Sequence, residues 1–183
     1  QVLRGMRVKN LLKNADGTIT GVEGDKDREP VRVRARLVAG CDGSGSLVRR
    51  SANINTDMHT YPFEYLMLTC TRSPEQPADH NLEIWSREGF GGLFPIGEGR
   101  IRCPVQADPG EMVRWREVGL PQVHTELSQR FPYYSDMHLL DDDLHVFKIL
   151  RHHAETYVGD GVLVLGDAAH CTPPYYGMGM NMG

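Results

Sequence analysis

Val162-Leu163-Val164-Leu165-Gly166-Asp167-Ala168-Ala169-His170-Cys171-Thr172-Pro173-Pro174-Tyr175-Tyr176-Gly177-Met178-Gly179-Met180-Asn181-Met182-Gly183 is the stretch whose reading decides the fold. Four apolar residues bounded by turn formers suit a strand buried on both faces, and this one stops at Gly166-Asp167. Ligands of open α/β sheets sit beyond the carboxyl ends of such strands, so the run is read as delivering a carboxylate and a bare backbone to a ligand. The loop that follows holds Gly177-x-Gly179-x-Asn181-x-Gly183. Glycine in a helix interior costs about 1 kcal/mol relative to alanine, so this spacing is worth keeping where backbone packs against something flat or anionic. Pro173-Pro174 fixes φ and stiffens the approach. A helix starting near Gly177 to Asn181 turns its positive end toward whatever the loop holds. Asp167 at the end of a buried strand is costly unless paired. Its partner is either a ligand hydroxyl or the backbone of the segment it caps, and the stretch alone leaves both open.

A second loop of the same kind lies upstream. Val8 to Leu12 and Ile19 to Val22 flank the turn Asn14-Ala15-Asp16-Gly17 and predict a hairpin. Val31-Arg32-Val33-Arg34-Ala35-Arg36 alternates as a half-exposed strand does, and Leu37-Val38-Ala39 continues it as an apolar run into a covered sheet. That strand ends at Gly40-Cys41-Asp42-Gly43, directly before a helix with Ser44 or Ser46 as N-cap. Amide groups at a helix start attract phosphate, and glycine permits close approach. Taken alone, the dipeptide favours a tight turn with a capping Asp42; two strands of one chain both ending in Gly/Asp pairs shift the reading toward a ligand.

Between the two loops the character changes. Residues 63–71, 82–86, 92–95 and 100–105 are candidate strands separated by Pro- and Gly-rich turns, which predicts an antiparallel sheet. Asp108-Pro109-Gly110-Glu111 predicts a helix start with Asp108 as N-cap and a capping box. Met112 and Trp115 share one helix face. Val123, Leu127 and Phe131 mark a second helix ended by Pro132, and both stripes read as core packing. Leu144 to Leu150 reads as a further strand.

Composition narrows the function classes. The net charge of −4 over 183 residues argues against nucleic acid or an anionic membrane surface as the main partner. No apolar run approaches the roughly 18 residues that would span a bilayer. The four cysteines have no Cys-x-x-Cys spacing, so they read as reduced, mostly buried thiols, and a cytoplasmic setting follows. His152-His153 is the one histidine pair, and adjacent residues point in different directions, so no metal site is expected. The chain opens on Gln1 with neither a signal nor a transit peptide, and both ends read as cut from a longer chain.

Gly166-Asp167-Ala168-Ala169-His170 with Pro174, Gly177, Gly179, Asn181 and Gly183 resembles the second FAD motif of the flavoprotein aromatic hydroxylases. Joined to Gly40-Cys41-Asp42-Gly43-Ser44-x-Ser46-x-Val48-Arg49, it makes the chain similar to the p-hydroxybenzoate hydroxylase-like FAD-dependent monooxygenase superfamily. The resemblance implies an α/β (α+β) fold: a partial FAD-binding Rossmann-like domain at 1–56 and 151–183, and an inserted antiparallel β-sheet substrate domain at 57–150. It implies that Asp42 and Gly43 lie near the FAD pyrophosphate and the route of NAD(P)H, with Arg49 supporting that region. Gly166 would let the strand end approach the cofactor and Asp167 would bond the ribityl chain. Gly177, Gly179, Met180 and Asn181 would contact the isoalloxazine, and the Pro174 carbonyl would orient the substrate at the reacting edge. His170 reads as a scaffold for the loop rather than a catalytic base.

In such enzymes NAD(P)H reduces FAD, O₂ adds at the flavin C4a, and the hydroperoxide hydroxylates an aromatic or related small organic substrate. Two departures qualify the likeness. The Gly-x-Gly-x-x-Gly fingerprint for the ADP half is absent, and Gly89-Phe90-Gly91-Gly92 does not replace it because no helix follows. The Trp-x-Trp-x-Ile-Pro signature of flavin-dependent halogenases is absent too. The chain is thus expected to be an internal fragment, inactive and binding FAD weakly by itself. The rival readings are a flavin-dependent reductase or dehydrogenase of the same fold, a non-catalytic binding domain lacking the first FAD motif, and a zinc module using His170 and Cys171.

Overall fold

The computed structural model describes residues 2–76, 79–140 and 144–182, with Tyr176 described by its backbone only. Gly183, the last glycine of the loop motif, lies outside the described residues. In chain order the elements are β1 (Met6–Lys13), β2 (Ile19–Lys26), β3 (Glu29–Arg34), β4 (Val38–Gly40), α1 (Leu47–Ser51), β5 (Thr56–Thr71), β6 (Leu82–Ser86), β7 (Gly89–Gly97) and β8 (Arg100–Ala107). There follow α2 (Glu111–Val118), α3 (Leu120–Arg130), β9 (His145–Ala154), β10 (Val158–Gly159), β11 (Val162–Val164), β12 (His170–Cys171) and α4 (Gly179–Met182). The class is mixed α+β with mostly antiparallel sheets. Two compact units divide the chain: residues 1–60 with 150–183, and residues 61–149.

In the first unit β1, β2 and β3 form an antiparallel meander. Its first turn is pinned where the Asp16 carboxylate accepts from the Thr18 amide at 3.0 Å. A second sheet has the order β10-β11-β4, with β11 and β4 parallel in the register Val162↔Val38, Leu163↔Ala39, Val164↔Gly40. This parallel pair sets the two Gly/Asp loops at adjacent strand ends.

Val31 to Ala39 is not the single strand that its alternation predicts. β3 leaves β2 after Arg34, where the Ala35 amide still donates to the Thr20 carbonyl. The chain then bends, and the Val38 amide donates to Gly161 as β4 joins the other sheet. The strict alternation stops at Arg36, and the apolar run Leu37-Val38-Ala39 that replaces it coincides with the change of sheet.

The core of this unit is built from small side chains, chiefly Val38, Val48, Val162, Val164, Ala154, Ala168 and Ala169. Gly40 belongs to that economy of space. A Cβ there would lie 2.7 Å from the Val48 Cβ, so only glycine lets α1 settle on β4.

In the second unit β8 lies between β5 and β7, with β6 beyond β7, all antiparallel. Leu66, Leu68 and Cys70 of β5 share a face with Val105, Cys103 and Ile101 of β8. That face is covered by Met112 and Trp115 of α2 and by Val123 and Leu127 of α3, as the two stripes predict. The Trp115 indole donates to Glu126 Oε2 at 2.9 Å, and Arg114 pairs with both Glu126 oxygens at 2.6 and 2.7 Å.

α2 starts later than its sequence suggests. Gly110, at φ 89°, is the N-cap, and the Asp108 side chain makes no capping bond. The reciprocal half of the box does form: Glu111 Oε2 accepts from the Asp108 amide at 2.9 Å. The left-handed Gly110 breaks the helical path, so Pro109 sits in a turn ahead of the helix.

Candidate functional site

The site grows from the two loops of the first unit. The Asp42 carboxylate accepts from the Leu47 amide at 2.7 Å, the Val48 amide at 3.1 Å and the Ser46 hydroxyl. Burial pushes its pKa up, but the Ser46 and amide hydrogen bonds outweigh it and hold the carboxyl below the usual range. Asp42 therefore caps α1. Ser46 is the N-cap proper, accepting from the Arg49 amide at 2.9 Å. The neighbouring Gly43, at φ 79°, faces open space and leaves that backbone accessible.

Arg49, only 3% exposed, turns inward from α1. Its Nη1 donates to the Ala168 carbonyl and its Nη2 to the Ser44 carbonyl, both at 2.7 Å. One guanidinium thus ties the Asp-Gly loop to the Gly-Asp loop across more than a hundred residues of sequence, a role for which a planar fork of donors is suited.

After β11 the chain makes a one-turn 3-10 helix over Gly166–Ala168. Val162 and Val164 are buried, whereas Leu165 is half exposed and Asp167 is exposed. The cost expected for a buried Asp167 is therefore not incurred. Its carboxylate makes no hydrogen bond among the described residues, while its carbonyl accepts from His152 Nε2 at 2.9 Å. The carboxylate is also no cap for the 3-10 turn that contains it, which has no side-chain cap bond.

His152 is a residue the sequence reading passed over. It sits on β9 beside β12 in the register Cys171↔His152, and it is 2% exposed. Burial, with the Arg49 charge second, lowers its pKa and keeps the imidazole neutral near pH 7. Arg151 and His153 are exposed while His152 and Ala154 are buried, the alternation of a half-buried strand, which the sequence Arg-His-His-Ala does not itself display. His153 and His170 stack outside at 6.2 Å, and His170 stacks on Tyr157 at 6.0 Å. Cys171 is half-buried, and burial raises its thiol pKa.

The remaining loop residues are presented rather than packed. The Pro174 carbonyl accepts from the Gly177 amide at 3.2 Å in a second 3-10 turn. Gly177, at φ 59°, faces open space, as does Gly179. α4 carries Met180, which is 91% exposed, and an exposed Asn181.

The family model for the FAD binding domain matches residues 1–183. The chain belongs to this family. The chain is also similar to curated hydroxylases and monooxygenases, and two of them show the reach of that likeness. It is 27% identical over 155 residues to 3-demethoxyubiquinol 3-hydroxylase of Escherichia coli (strain K12), covering 82% of this chain and 38% of that one. It is 28% identical over 186 residues to rifampicin monooxygenase of Streptomyces venezuelae, covering all of this chain and 38% of the relative. The chain thus spans well under half the length of these curated relatives. Among solved structures, the flavin-dependent halogenase CmlS superposes with a TM-score of 0.79 at 16% identity, over 97% of this chain and 33% of that one, a likeness of fold.

The site fits the cofactor of the family. Gly43, Gly166 and Gly177 all hold left-handed φ values with nothing within 4 Å of where a Cβ would stand, so their backbone is open to a ligand. The exposed Asp167 carboxylate supplies an acceptor for hydroxyl groups.

The second unit presents its own candidate surface. Opposite the helix-covered face of its sheet, Met67, Thr69, Phe94, Arg102 and Pro104 share a side by register. Arg102 donates to the Thr69 hydroxyl at 2.6 Å, and the Phe94 and Pro104 side chains converge over Gly92. Among the described residues no helix is long and apolar enough to cross a membrane.

Proposed function

We propose that the chain is part of an NAD(P)H-dependent flavin monooxygenase that hydroxylates an aromatic or related small organic substrate with O₂. The observation that carries this reading is the pairing of two Gly/Asp loops at the ends of parallel strands, locked together by Arg49, with open glycine backbone and an uncommitted Asp167 carboxylate.

Bound FAD would supply the redox chemistry, accepting hydride from NAD(P)H and activating O₂. The chain's own residues hold and shield. Asp167 would accept from ribityl hydroxyls, and the backbone at Gly166, Gly177, Gly179, Met180 and Asn181 would hold the ring system. Asp42 acts through α1: by capping the helix it fixes Gly43, whose open backbone would serve the pyrophosphate and the path of NAD(P)H. Arg49 sets the spacing of the two loops. The Pro174 carbonyl orients the substrate. The second unit by itself offers a sheet face on which the half-buried Met67 and Phe94 give apolar surface for a ring and Arg102 gives one cation.

The test is O₂ uptake by the full-length protein in the presence of FAD, NADH or NADPH and a panel of phenolic and polycyclic aromatic substrates. The expected result is substrate-stimulated O₂ consumption with an oxygenated product. NAD(P)H oxidation that reduces a substrate without O₂ uptake would instead select the reductase of the same fold.

A further inference from the structure

His152 makes the molecule's least economical use of a polar group. A buried imidazole is worse placed than an apolar side chain unless its hydrogen bonds return the cost of desolvation. Nε2 faces the Asp167 carbonyl, which can only accept, so Nε2 carries the proton. Nδ1 of the neutral ring is then a bare lone pair, buried and without a hydrogen-bond partner among the described residues. Arg49 holds the next carbonyl, Ala168, from the opposite element. Two consecutive peptide groups of the turn are therefore gripped by buried donors from β9 and α1.

We propose that His152 is a positioning residue whose neutral imidazole holds the Gly166–Ala168 turn in the form that presents Asp167, and whose protonation releases that turn. Its consequence for the cofactor rests on the flavin reading above; the clamp itself rests on geometry alone. A second proton would have to sit on Nδ1, where it meets no acceptor among the described residues. The charged and titratable groups facing the ring are Arg49 from α1 and His170 from β12, which oppose a second positive charge, and Asp167 from the turn, which favours it.

Burial and Arg49 prevail, so the folded pKa lies below the unfolded value of 6.5. For a histidine depressed in this way, the unfolded chain binds the extra proton first. The clamp is fully effective above pH 6.5 and is lost as pH falls through the folded pKa. Acidification therefore loosens the turn before it unfolds the protein.

The experiment uses the full-length protein, first without cofactor. The Ala168 and Ala169 amides are hydrogen-bonded within the turn, to Leu165 and Gly166, so their hydrogen exchange reports its integrity. After correction for intrinsic rates, exchange at these two amides is expected to rise at least about threefold between pH 7.5 and 5.5 in the native protein. It is expected to stay flat in His152→Gln, which keeps an N–H donor but does not titrate, and to be high at both pH values in His152→Leu. FAD affinity should follow, weaker by about tenfold in His152→Leu at pH 7.5 and independent of pH in His152→Gln over this range. An unchanged acid response in His152→Gln would overturn the proposal, as would native-like protection in His152→Leu. Should the protein bind no flavin at any pH, the functional reading fails while the exchange pattern still decides the clamp.

Discussion

The two units hold their backbones by different means. The second is packed around large side chains: Trp115, Leu66, Leu68, Phe131 and Tyr134 are all at most 1% exposed. The first is cored by valines and alanines, and its loops are held by the buried polar groups Arg49 and His152. In the second unit area removed from water does most of the holding, because it scales with side-chain size, and the buried Tyr134 hydroxyl adds bonds to the Gly92 backbone inside that large core. Loops that must leave their glycines and a carboxylate open cannot be packed, so directional bonds to their carbonyls do that work. The difference teaches where to look for function. The region with the thinner core is the one that presents groups to a ligand.

Trp115→Ala should break this contrast most severely, since it empties the centre of the larger core. A loss of about 3–5 kcal/mol is expected, read as a lower denaturation midpoint of the intact protein. Arg49→Lys is the counterpart in the first unit. An ammonium cannot reproduce the planar fork that serves Ala168 and Ser44, so one buried carbonyl is left poorly satisfied at about 1–3 kcal/mol. Its FAD affinity should fall more than its thermal stability, whereas a purely structural role would lower the two in step.

The smallest effect sharpens the comparison on the second unit. Glu126 is held at a pKa of about 2, first by its hydrogen bonds from Arg114 and then by Trp115. Its folded pKa is depressed, so its contribution is present above the unfolded value of 4.5 and lost as pH falls toward 2. Glu126→Gln should lower stability by at most about 1 kcal/mol near pH 7, because the pair is partly solvated. Unfolding measured from pH 5 to 2 should show the variant and the native protein converging.

Most strands and both helices of the second unit were legible from alternation and stripes, because one face of each element is buried and the other is not. The bend at Ala35–Leu37 was not, since a switch from alternation to an apolar run marks a more covered strand equally well with or without a break in the chain path. The helix start after Gly110 was misplaced because Asp108-Pro109 satisfies the usual signature while the glycine's left-handed conformation is fixed only by its surroundings. At the site, the strand end at Gly166-Asp167 and the open glycines after it were read from the residues, while their cofactor roles came from the family resemblance. The local role of Asp42, a helix cap, was left open by sequence, since a capping carboxylate and a ligand-facing one share the same dipeptide. The Arg49 bridge to Ala168 and the His152 clamp depend on contacts between distant segments. For His152, the strand was read as ending at Leu150, and Arg-His-His-Ala carries no alternation that would extend it.

The central claim is that the Gly-Asp loop of the first unit seats the flavin through an exposed, uncommitted carboxylate. Titration of the full-length, cofactor-free protein with FAD, followed by flavin fluorescence, tests it by comparing the native protein with Asp167→Ala. Loss of a charge-assisted hydrogen bond predicts binding weaker by about 10- to 100-fold. The melting temperature of the cofactor-free form should not change, because the side chain is exposed and makes no hydrogen bond among the described residues. Equal FAD affinity in the two proteins would contradict the claim.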